Sequence, residues 1–164
     1  MPPPVVPPEE NAVLAAIDSA LGLAPKDVPP DLPENSNAKN EPAWHLFEHR
    51  AWEIGEAIRQ ALAAKPSLRK SAPIQRGLLA VADRRQLRRG RQSFFFGLSH
   101  VAAQPHADRV AAHLADEDVQ GHALDALLKM RARGYSEGVR PLAGARHAWI
   151  RRLAKKYLER EANG

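Results

Sequence analysis

Leu114-Ala115-Asp116-Glu117-Asp118-Val119-Gln120-Gly121-His122-Ala123-Leu124-Asp125-Ala126-Leu127-Leu128-Lys129-Met130 is the stretch that decides how this chain folds. Three acids interrupt it, and then Val119, His122, Ala123, Ala126 and Leu127 recur at i, i+3, i+4, i+7 and i+8, the spacing of one helix face. The same slots return 31 residues later as Ile150, Leu153, Ala154, Tyr157 and Leu158. Each set follows a short apolar stretch, residues 110–114 in one case and 139–142 in the other. A short helix, a turn and a longer amphipathic helix therefore repeat. Units of this kind bury their apolar faces by stacking on their neighbours.

Working outward, residues 73–82 and 87–103 form a third unit with a longer connection, and a helix over 42–64 extends the series. In that helix Trp44, Phe47, Ala51, Ile54, Ile58 and Leu62 make an apolar stripe, with Pro42 in the first turn. Pro73 opens the next helix, with Ile74, Leu78, Val81 and Ala82 apolar. Further helices are expected over 106–114, over 119–133 with a stop at Gly134, over 136–142 and over 147–161. No segment shows the strict alternation of a half-buried strand, so the chain reads as all-α.

The stretch 114–130 resembles a HEAT repeat, in which a short helix ends in an acidic turn and a Val-led second helix follows with Ala and Leu inward. Trp149-Ile150-Arg151-Arg152-Leu153-Ala154 is similar to the start of another such second helix, including its Arg. The resemblance covers residues 43–161. It implies a short α-solenoid of three to four HEAT-like antiparallel helix pairs whose second helices line a concave side. Two departures stand out: one unit has Asp118 in its turn but Gln120 where the family often places Arg, and the last has Arg151 but no Asp in its turn. The Asp–Arg ladder that ties neighbouring HEAT repeats is thus split between units.

Residues 1–41 read as a Pro-rich, acidic and largely irregular leader ahead of a repeat domain over 42–164. Ten of the 14 prolines lie within residues 1–42. Within the leader, Val13, Ala16, Ile17, Ala20 and Leu21 mark one docking helix over about residues 10–22, stopped by Gly22, with a loop expected through Asn40. The absence of cysteine excludes disulfides and thiolate metal sites. No run of about 18 apolar residues is present, and the start lacks the basic and apolar regions of a signal peptide. The expectation is a soluble cytoplasmic protein.

The net charge of +5 hides an asymmetry: residues 1–64 hold 4 Lys/Arg against 10 Asp/Glu (−6), and residues 65–164 hold 20 against 9 (+11). Such a split suits a basic surface for an acidic partner, protein or nucleic acid, and equally a set of solvated basic faces with the acidic leader lying over them. On a helix, Arg84, Arg88 and Arg91 of the run Arg84-Arg85-Gln86-Leu87-Arg88-Arg89-Gly90-Arg91 share one face, where guanidinium forks could bind carboxylates or phosphates. Phe94 and Phe95 align with Leu98, Val101 and Ala102, whereas Phe96 points the other way and becomes a candidate groove contact. Arg152 and Lys156 on the last helix complete the expected partner-binding set, or else serve as a polar cap on the stack.

His45-x-x-Glu48-His49 has the H-x-x-E-H spacing of inverted zinc peptidases, so His45, Glu48 and His49 are the candidate metal ligands and base of a zinc hydrolase. Those enzymes are larger and need a distant third ligand. No phosphate-binding loop, dinucleotide fingerprint, nucleophile elbow or EF-hand pattern occurs, and no cofactor is implied. The expected function is a non-catalytic protein–protein interaction module presenting a basic concave helical surface to an acidic partner, in the manner of bacterial immunity proteins or scaffolds. Nucleic-acid binding is the alternative. Resemblance to HEAT-like DNA glycosylases, which place an acid and aromatics in the concave groove, points there to Trp149 and Asp125.

Overall fold

The computed structural model describes residues 1–3, 8–35 and 41–164. Among the described residues the regular structure is all helical apart from one two-residue antiparallel pairing, Glu34–Asn35 with Glu41–Pro42. Its α-helices are α1 (Pro8–Leu21), α2 (Leu46–Ala64), α3 (Ala72–Ala82), α4 (Phe94–Leu98), α5 (Ala107–Ala111), α6 (Gln120–Lys129), α7 (Ser136–Val139) and α8 (Ala148–Asn163). Short 3₁₀ segments fill Pro66–Lys70, Arg85–Arg91, Val101–His106 and Arg140–Gly144. The loop expectation for residues 36–40 lies outside the described residues.

The helix starts follow local chemistry. Ser71 caps α3 by accepting the Ile74 N–H at 3.3 Å, with Pro73 in the first turn where its missing N–H costs nothing. α2 begins at Leu46 and not at Pro42, because Pro42 pairs with Glu34 and the Pro42 and Ala43 carbonyls accept from Arg89. Glu48 then closes the start of α2 by accepting the His45 N–H at 2.7 Å.

α1 packs on α2 and α3, while α2, α4, α6 and α8 pack successively, each on the next. Val13, Ile17 and Ala20 of α1 join Ile58, Leu62, Leu78, Phe94, Phe95, Leu124, Leu127, Ile150 and Tyr157 in one apolar core. The leader's helix is therefore part of the core. Ile17 lies directly on Gly77, where a Cβ would come within 2.9 Å of its Cδ1. Among the described residues no helix is long and apolar enough to cross a membrane.

The largest departure from the sequence reading is the expected continuous helix over 87–103. It divides into the 3₁₀ segment Arg85–Arg91, the short α4, and the 3₁₀ segment Val101–His106. Arg88 sits at φ 49, ψ −129, which breaks the helical path. The cause is packing against α2: a Cβ on Gly90 would lie 2.8 Å from the Glu48 carbonyl oxygen and 2.9 Å from Ala51 Cβ. The helix expected over 119–133 ends at Lys129, and Arg131 (φ 57) with Gly134 (φ 94) turns the chain toward α7.

Candidate functional site

The arginine run does not form an exposed face. Arg91 has no exposed side-chain surface. Its Nε donates to the Arg88 carbonyl at 2.7 Å, Nη1 to the Ala82 carbonyl at 3.1 Å, and Nη2 to Asp116 at 2.9 Å, with Asp118 at 3.7 Å. Arg88 spans Asp118 at 3.3 Å, Asp31 and the Pro29 carbonyl. Burial pulls the Arg88 guanidinium down, but hydrogen bonding and charge from Asp118, with Asp31 behind, more than offset it and hold it above the usual range. Arg88 and Arg91, expected as partner contacts, are thus internal cross-links between the α3–α4 connection and the acidic turn before α6. Only Arg84 of the three is exposed, and it forms no ion pair among the described residues.

The H-x-x-E-H stretch is also structural. Glu48 is fully buried: one carboxylate oxygen accepts the His45 N–H, and the other accepts Arg89 N–H at 3.1 Å and Arg89 Nε at 3.2 Å. The His45 ring reaches the Pro30 carbonyl at 2.9 Å, and the His49 ring packs against Trp44. With both carboxylate oxygens of Glu48 engaged and no exposed surface, the residues expected as zinc-hydrolase candidates form a helix-start motif here. Among the described residues no group of three or more His, Asp or Glu side chains is placed to hold a metal ion.

What the fold does bring together is Phe96, Trp149, Arg152 and Asp125, from three helices far apart in sequence. With His122 and Leu153 they line a groove of about 440 Å³ between α4, α6 and α8. The rings run edge to face: Phe96 to His122 at 5.7 Å and 71°, His122 to Trp149 at 5.3 Å and 73°. Arg59 of α2 caps the outer side of Phe96, its guanidinium carbon 4.5 Å from the ring centroid. Phe94 and Phe95 are fully buried, which leaves Phe96 as the half-exposed member of the triplet.

Each groove residue has a local reason for its position. Trp149 lies over Gly121, where a Cβ would fall 2.3 Å from indole Cη2, so only glycine admits the indole this close to α6. Trp149 is 37% exposed. His122 is pushed down to about 4 by burial, against a smaller opposing pull from Asp125, so it is neutral near pH 7. Asp125 carries Lys129 at 2.9 Å across one helical turn. Arg152 is exposed without an ion-pair partner among the described residues, as is Lys156.

Sequence reasoning missed Arg59 and Leu153 as part of this groove and placed His122 simply in the core. The one available signal was Gly121 beside His122 in an otherwise helical run, since an isolated helix glycine often marks a close approach. A second cleft, about 660 Å³, opens on the other side of Trp149 and His122. Arg88, Trp44 and the Glu41–His147 ion pair at 3.1 Å stand around it. No family model, curated protein or solved structure matches the chain.

Proposed function

We propose that this chain is a non-catalytic binding module, a short α-solenoid of HEAT-like helix pairs that holds an acidic partner protein at the groove of Phe96, His122, Trp149 and Arg152. The observation that carries the reading is Trp149: a large indole packed on α6 over Gly121 yet still partly in solvent, beside Arg152, which has no ion-pair partner among the described residues. Exposed aromatic and Arg anchors in a pocket are the residue types that dominate protein-interface energetics. The successive packing of α2, α4, α6 and α8 supports the solenoid reading, because it puts one helix of every unit on the groove side. Arg88 and Arg91 drop out of the contact set, and the basic character of the surface rests on Arg59, Arg152 and Lys156.

The test is affinity capture from the native cell lysate after nuclease treatment, read by mass spectrometry. One stoichiometric protein should be retained by the natural chain and by Arg84→Glu, and lost with Trp149→Ala and with Arg152→Glu. Capture that ignores both groove substitutions would refute the assignment of the site.

Nucleic-acid binding is the second reading, favoured by one observation: Asp125 and Trp149 line the same groove. Against it, the six lining residues hold one cation and one anion, too few positive groups to track a phosphate backbone. An oligonucleotide affinity that falls steeply with salt and is lost with Trp149→Ala would reverse this order.

A further inference from the structure

Arg152 stands between two depressions. On one side is the aromatic groove. On the other a groove of about 620 Å³ runs along the outer side of α8, lined among others by Ala148, Arg151, Lys155, Leu158, Glu159 and Ala162 besides Arg152 itself. At about 100° per residue, the buried Ile150, Ala154 and Tyr157 fix the inward direction of α8. Arg152 then points almost straight outward, with Trp149 and Leu153 falling on one flank, and Ala148, Lys155, Leu158 and Ala162 on the other. The guanidinium is the crest of a ridge with an apolar socket on either side.

We propose that these two sockets and the crest receive one extended peptide segment of the partner, with an apolar side chain, a carboxylate and a second apolar side chain at alternating positions. The inference rests on the binding-module reading and names the partner's chemistry at that same site. Three arguments lead to it. Arg152 is shared by two separate grooves, of about 440 and 620 Å³, so a segment crossing α8 meets both with the guanidinium between them. In an extended chain, residues i, i+2 and i+4 point the same way and span about 13 Å, close to the ~10–12 Å width of a helix with its side chains. Such a segment laid across α8 sets its outer two residues into the sockets and its middle residue over Arg152.

The third argument is charge. Arg152 has no ion-pair partner among the described residues, and the nearby anions are already engaged: Asp125 with Lys129 at 2.9 Å, and Glu159 with Lys155 at 4.0 Å. Lys156 likewise has no ion-pair partner among the described residues and Arg151 donates to the Ala145 and Arg146 carbonyls, so this side of α8 carries an excess of positive charge that a carboxylate over Arg152 would offset. The neutral His122 at the groove floor adds apolar ring edge without repelling or attracting that charge.

The probe is a capped peptide Phe-Ser-Glu-Ser-Leu with dye-labelled Gly-Ser flanks, measured by fluorescence anisotropy against the full chain. The same peptide with Gln for Glu, one with Phe, Glu and Leu made adjacent, and an oligothymidylate of matched length complete the set. Binding of the first peptide, weakened about tenfold or more by Trp149→Ala, by Arg152→Glu and by Ala148→Glu, supports the proposal. Ala148→Glu intrudes on the second socket while suiting the acid preference of a helix start, and circular dichroism confirms that each variant is folded. No binding of the peptide, equal binding of the Gln or adjacent peptides, indifference to Ala148→Glu, or preference for the oligothymidylate each overturns it. A cellular partner that is lost with Trp149→Ala yet not displaced by the peptide would also overturn it, while leaving the binding-module reading standing.

Discussion

Replacing Arg91 by Met separates the tertiary placement of the arginine run from its sequence appearance. Met keeps most of the side-chain volume and removes every donor. The loss strips the Ala82 and Arg88 carbonyls of their guanidinium contacts and leaves the Asp116 carboxylate, 12% exposed at its side chain, with Arg85 at 3.8 Å as its remaining cation and the Asp118 N–H at 3.1 Å as its remaining donor. Breaking a buried pair by removing one partner costs about 3–5 kcal/mol, because the remaining charge and acceptors stay buried without partners. That is a large part of a typical total of about 5–15 kcal/mol. With a urea slope of about 2 kcal/mol/M, the denaturation midpoint should fall by roughly 1.5–2.5 M. Arg84→Ala, at an exposed residue without an ion pair, should change stability by less than about 0.5 kcal/mol. Circular dichroism across a urea series reads both. Midpoints that coincide for the two variants, or a larger loss for Arg84→Ala, would refute the internal placement of Arg91.

Three further outcomes are expected. Gly121→Ala should push the indole of Trp149 off α6, costing about 1–3 kcal/mol and shifting tryptophan emission relative to the same substitution made in a Trp149→Phe background. His122 has its folded pKa near 4, below the ordinary value of about 6.5 for an unfolded chain, so the unfolded state binds the extra proton between these limits. Stability linked to His122 is then complete above about pH 6.5 and falls as pH drops toward 4, by at most about 3 kcal/mol; urea midpoints at pH 7 and pH 4.5 should converge in His122→Gln relative to the natural chain. Ile17→Ala should cost about 2–4 kcal/mol, since Ile17 is 2% exposed against Gly77; a cost near zero would mean that α1 is only loosely attached.

The placement of α1 also changes what the acidic leader does. Deleting residues 1–41 would remove Val13, Ile17 and Ala20 from the core along with the carboxylates, so it would expose apolar surface as well as basic surface. The leader's charges act at single points: Asp31 on Arg88, Glu41 on His147 at 3.1 Å and Glu9 on Lys65 at 3.3 Å. Glu9 is held below the usual carboxylate range by a backbone hydrogen bond first and by Lys65 second. These are links that tie the leader down, and they leave Arg152 and Lys156 uncovered.

Features carried by neighbours within one or two turns were legible in the amino-acid sequence. The 3.6-residue recurrence at Val119, Ala123, Ala126 and Leu127, its return at Ile150, Ala154 and Tyr157, the proline start of α3, and the outward turn of Phe96 away from Phe94 and Phe95 are all local consequences of helix geometry. Tertiary structure alone decided the fate of the charges. Arg91 and Asp116, 25 residues apart, and Glu48 and Arg89, 41 apart, become pairs only when the α3–α4 connection meets the turn before α6 on one side and the start of α2 on the other. An arginine read in isolation looks the same whether it ends in water or against a carboxylate. The groove has the same origin: Phe96, Asp125 and Trp149 belong to α4, α6 and α8, and their meeting depends on how closely α6 and α8 approach across Gly121. Periodicity says which face turns inward. The distance between the faces, and hence which polar groups find one another, is set by packing.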